Sequence, residues 1–138
     1  MKHRSVLVRT ILLAAAVVAG SAVGAQADVN RLLQCGSGSN IARFSAIYSE
    51  RGSAKKPDKQ LDVDLEINKN AGYKEGQLVV FLLDGKKIGQ QRLAADAHGD
   101  LDADLKLTSK GSGAFPSVKS GQTVAAEIRN KNLGDCIL

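Results

Sequence analysis

Tryptophan is absent from this chain, and its one methionine is Met1. Histidine occurs only at His3 and His98, so His98 is the one imidazole after the first few residues. Zinc and copper sites draw on several His, Cys or Met ligands, and no such set exists here. A Ser-His-Asp triad would have to use His98, which sits in the turn-forming stretch Asp96–Asp100 with nothing beside it to orient it. Only two cysteines occur, Cys35 and Cys136, too far apart in sequence for a C-x-x-C redox pair. The aromatic residues are three Phe and two Tyr. None interleaves with the cations of the basic loop at Arg51, Lys55, Lys56 and Lys59, which gives base stacking with nucleic acid no support there. No apolar run approaches the roughly 20 residues that a membrane-spanning helix needs. No cofactor motif is present. These absences leave a non-enzymatic protein as the expectation.

The first 27 residues have a separate logic. Lys2, His3, Arg4 and Arg9 make a basic start, and Ile11 to Ala19 is uninterrupted apolar sequence. Small residues then lead to Ala25-Gln26-Ala27, an A-x-A cleavage pattern. Residues 1–27 are therefore expected to be a secretory signal of bacterial type, cut before Asp28, with export to the periplasm or beyond. Leu32-Leu33-Gln34-Cys35 resembles a lipoprotein box only superficially. Gln is too large before the Cys, and polar residues separate the box from the apolar region. A lipid anchor is not expected.

Cleavage leaves residues 28–138, enough for one domain with one core. Lys2, Arg4 and Arg9 leave with the signal, so sixteen Lys and Arg face fourteen Asp and Glu. The net charge falls from +5 to +2, which removes any argument for nucleic acid from overall charge. Cys35 and Cys136 lie near the two ends of the exported part, and an even pair in an oxidising compartment reads as one disulfide.

Apolar residues recur with period two along the rest of the chain. Ala42, Phe44, Ala46 and Tyr48 form one such series. Leu61, Val63, Leu65 and Ile67 form a second, with Asp62, Asp64 and Glu66 on the opposite face. Leu101, Ala103, Leu105 and Leu107 repeat this pattern against Asp102 and Asp104, and Val124, Ala126 and Ile128 form the last. Between them, Gln77 to Leu93 (QLVVFLLDGKKIGQQRL) places Asp84-Gly85 between two β-prone runs, a strong hairpin signal. Turns are expected at 51–60, 68–76, 96–100, 109–120 and 130–134. The result is an all-β chain of roughly seven antiparallel strands, the pattern of a β-sandwich.

From Leu61 to Leu138 the chain resembles the bacterial immunoglobulin-like domains of exported proteins. The fragments that carry the resemblance are FLLDGKKIG, ADAHGDLDADL and FPSVKSGQTVAAEI. It implies a single immunoglobulin-like β-sandwich and no particular activity, because fold does not transfer function. The sequence departs from the antibody pattern in lacking Trp and in placing its Cys pair at the chain ends.

Three surface features remain. If the Asp62–Asp64–Glu66 strand neighbours the Asp102–Asp104 strand, five carboxylates share a face. Calcium is the cation to weigh at Asp62, Asp64, Asp102 and Asp104, but alternate strand residues stand about 6.6 Å apart, too far to wrap one ion. A solvated acidic face is expected instead. Arg51, Lys55, Lys56 and Lys59 make a basic loop, expected to be solvated. Leu78 to Leu83 is apolar on both faces, so one triplet must turn outward, where an apolar patch invites association. Coverage by the chain itself is expected, by the Val29–Leu33 segment held by Cys35 or by one of the long loops, with a homodimer or a partner as the other occupants, and a monomer is favoured. Phe81 and the pair Phe115-Pro116 in the loop Ser109–Ser120 are candidate partner contacts. The expected function is binding or a structural role in the bacterial envelope, toward a protein or envelope component. An inhibitor of an extracytoplasmic hydrolase, plugging with the 109–120 loop, is the alternative, and a calcium-binding module the third reading. No cofactor is expected.

Overall fold

Period-two alternation places every second side chain on one face, so two such sheets bury their apolar faces against each other. A computed structural model of the chain describes residues 28–111 and 113–138. The expected signal segment, residues 1–27, and Ser112 lie outside the described residues. Among the described residues nine strands occur: β1 (Asp28–Gly38), β2 (Ala42–Ser53), β3 (Asp58–Ile67), β4 (Leu78–Leu83), β5 (Lys86–Arg92), β6 (Ala94–Ala95), β7 (Leu101–Thr108), β8 (Thr123–Ile128) and β9 (Lys131–Ile137). They form two antiparallel sheets that do not close into a barrel. One has the order β1-β2-β3-β7-β6 and the other the order β5-β4-β8-β9.

All four predicted inward series line the core. Tyr48, Leu61, Val63, Leu65, Ile67, Val79, Phe81, Leu93 and Val124 are its largest fully buried side chains. The β4–β5 hairpin turns at Asp84-Gly85, both with positive φ (48° and 79°). Two left-handed residues give the turn the twist that its strands require, and Gly adopts that geometry without a Cβ clash. Asp84 Oδ1 also accepts a hydrogen bond from the Thr123 N–H at 2.9 Å, tying the hairpin tip to β8. Where β9 crosses β2, a Cβ on Gly134 would lie 2.5 Å from the Cβ of Phe44. Only glycine permits that approach.

Cys35 and Cys136 are disulfide-bonded, with Cα atoms 5.7 Å apart. Cys35 lies on β1, an outer strand of the five-stranded sheet, and Cys136 on β9, an outer strand of the other. The bond therefore joins both the ends of the chain and the two sheets, where the sequence suggested the ends alone.

Other expectations need correction. Seven strands become nine because β1 and β6 were not anticipated. The basic loop shrinks to residues 54–57, since Arg51 to Ser53 extend β2 and Asp58 to Gln60 begin β3. The 130–134 turn shrinks to a tight reversal at Arg129-Asn130, both with positive φ, and β9 starts at Lys131. Val29–Leu33 does not cover β4. It pairs with Tyr48–Gly52 of β2 in the opposite sheet.

Candidate functional site

Two outer faces of the sandwich carry the candidate residues. On the five-stranded sheet, β3 and β7 are hydrogen-bonded neighbours, and their register sets Asp64 opposite Asp104, Glu66 opposite Asp102, and Asp62 opposite Lys106. The five carboxylates therefore do share a face. Lys106 and Arg43 offset two of them: Lys106 faces Asp62, and the Arg43 guanidinium donates to Glu66 from β2. No cation opposes the Asp64–Asp104 pair across β3 and β7, and Ser45 lies on its β2 side. Burial among the neighbours, a hydrogen bond with Asp104 and the Asp104 charge push the Asp64 carboxyl up to about 7. The Asp64 side chain still reaches water, so the opposed like charge is the cause that the register dictates. Asp102 shifts upward too, from burial first and then Asp96 and Glu66. Among the described residues, no three His, Cys, Asp or Glu side chains form a group able to hold a metal ion.

On the four-stranded sheet, Val79, Phe81 and Leu83 face the core, and Leu78, Val80 and Leu82 face out. Phe81, a candidate partner contact, is fully buried. Sequence pattern alone left both triplets equivalent, and pairing with β8 decided between them. The outer triplet floors a groove of about 510 Å³, with Arg92 on one side and Glu127, Arg129 and Asn130 on the other. Register extends the face. Leu78 stands beside Arg92, Val80 lies between Gln90 and Glu127, and Leu82 lies between Lys87 and Ala125, with Asp135 beyond Ala125 on β9. Ile137, paired with Thr123, adds an apolar side chain that is 66% exposed. The face has an apolar floor, the cations Lys87 and Arg92 along β5, and a mixed rim of Glu127, Asp135 and Arg129 on the β8 and β9 side.

The remaining candidates are placed as follows. Phe115 is half-buried and packs on Tyr48, with ring centroids 6.2 Å apart. Tyr48 Oη donates to Glu50 at 2.6 Å, and Glu50 lies 3.7 Å from the Lys59 ammonium. The Phe115 ring thus belongs to the packing at this end of the core, and Pro116 beside it is half-buried. Lys110 pairs with Asp58 at 3.4 Å. His98 is exposed in its turn, where the Asp96 carboxylate accepts the backbone N–H groups of His98 and Asp100. Among the described residues, no helix is long and apolar enough to cross a membrane.

No protein-family model, curated protein or solved structure matches this chain.

Proposed function

We propose that the chain is a small exported, non-enzymatic sandwich of the immunoglobulin-like kind that acts by protein contact in the bacterial envelope. The observation that carries this reading is the outward apolar triplet Leu78, Val80 and Leu82, which no other segment among the described residues covers. The strand order supports the fold assignment. Sheets β2-β3-β7-β6 and β5-β4-β8-β9 follow the A-B-E-D and C′-C-F-G orders of immunoglobulin-like domains, with β1 added outside. The basic–apolar–A-x-A leader and the disulfide support export. Contact through the four-stranded sheet also fits its composition, an apolar centre with a polar rim.

A photo-crosslinking residue placed at Leu82 tests this in intact cells. Discrete adducts are expected from position 82 and none from Ser45, on the outer face of the other sheet. Equal labelling from both positions, or none from position 82, would refute the contact surface.

A further inference from the structure

We infer that the occupant of the apolar face is a second copy of this chain, held in a two-fold dimer. The inference rests on the contact-surface reading above and adds the identity of the partner. The charge pattern across the face is its source. Viewed along a row perpendicular to the strands, Lys87 on β5 is followed by Leu82, Ala125 and then Asp135 on β9. Cationic and acidic ends thus flank an apolar middle. In the neighbouring row Gln90 is followed by Val80, Glu127 and Asn132, and in the next Arg92 stands beside Leu78, so the Lys87-to-Asp135 row alone carries opposite charges at its two ends.

Such a face is complementary to itself under one kind of rotation. Consider a two-fold axis in the interface, parallel to the strands and between β4 and β8. It lays β4 of one copy over β8 of the other, and β5 over β9, and it preserves the rows. Lys87 then meets Asp135 of the second copy, and Asp135 meets its Lys87. Leu82 lies on Ala125 in between. A two-fold axis perpendicular to the strands sets β5 on β5 and β9 on β9, which opposes like charges. The charges therefore select one isologous arrangement. The two four-stranded sheets then pack face to face with their strands aligned, as sheets in a sandwich do.

The size of the face sets the strength. Four strands about 4.8 Å apart and six residues at about 3.4 Å each give a face on the order of 20 Å square. Standard interfaces bury about 800 Å² per partner, and this face, on the order of 400 Å², is about half of that, the size of a weak, transient contact. A dimer that dissociates in the micromolar range follows. The other exposed large apolar residues, Leu32, Ile41 and Ile47, form no comparable surface. Leu32 and Ile47 stand in rows with Ser49 and Gln60 and with Gln34 and Asp62.

Sedimentation equilibrium of the oxidised protein from Asp28 onward, across the micromolar range, tests the dimer. The wild type is expected to show a monomer–dimer equilibrium. Leu82→Glu keeps a favourable cross-strand neighbour in Lys87 but sets a carboxylate near Asp135 of the second copy, and is expected to be monomeric throughout. Lys87→Glu is expected to weaken the dimer at least tenfold, and Lys87→Glu combined with Asp135→Lys to restore it. A wild type that stays monomeric at every concentration would overturn the dimer. Crosslinks from position 82 to a different protein would then leave the contact surface standing. A dimer indifferent to Leu82→Glu would place the interface elsewhere and overturn the inference, and a charge swap that fails to restore association would overturn the two-fold arrangement.

Discussion

Asp64 and Asp104 stand directly opposite each other because β3 and β7 pair in one register and no other. The alternation of LDVDLEI and LDADLKL showed which face these carboxylates occupy. It could not show the offset between the strands, since a shift of two residues keeps every side chain on its face and changes every partner. The raised carboxyl has a thermodynamic consequence. Asp64 shifts from an ordinary 3.8 to about 7, so over that interval the folded chain holds a proton that the unfolded chain has released. Its contribution is therefore fully present below the ordinary value and is lost as pH rises through about 7. Asp102, raised for related reasons, acts in the same direction. Asp104→Asn removes the opposed charge and offers Asp64 an amide donor. Thermal melts are expected to place this variant above the wild type at about pH 8 and close to it at about pH 4. Equal melting temperatures at both pH values would mean that the pair is already separated in the folded protein.

At the scale of elements, the strands that carry strict alternation were legible, and β1 was not. Its inward set is Val29, Arg31, Leu33 and Cys35, and none of these is fully buried. The cation in that series breaks the apolar period. An edge position tolerates it because a long side chain can lay its stem on the sheet and carry its charge to the rim, here in the register position opposite Glu50. An edge strand with so few buried contacts depends on its attachment to the other sheet, and the Cys35–Cys136 bond supplies that. Replacing both cysteines by serine is expected to lower unfolding stability by roughly 2–5 kcal/mol, because the bond closes a loop of about a hundred residues in the unfolded chain. Denaturant unfolding of the variant beside the oxidised wild type measures this. A difference under about 0.5 kcal/mol would show that β1 docks without the bond and that the unfolded chain gains little from losing it.

At the scale of the whole molecule, an all-β sandwich of antiparallel strands could be read from alternation and turn chemistry alone. The assignment of each strand to one of two sheets could not, because it depends on long-range pairing between segments up to about fifty residues apart, as Gln60 and Thr108 are. The candidate surface was half legible. The double-sided apolar run Leu78–Leu83 announced that one face of β4 must lie outside, but period two could not say which. The central claim is that β4 divides between core and contact surface, and two adjacent leucines separate the alternatives. Leu83 is only 5% exposed, whereas Leu82 is half-buried beside Lys87. The deciding measurement is the melting temperature of Leu82→Glu against Leu83→Glu, taken well below the micromolar range so that association contributes nothing. Leu83→Glu buries a carboxylate without a partner and is expected to cost several kcal/mol, on the order of 3 or more. Leu82→Glu is expected to melt within a few degrees of the wild type. If Leu82→Glu melts as early as Leu83→Glu, the outer triplet is part of the stabilising core and not a surface kept for a second chain.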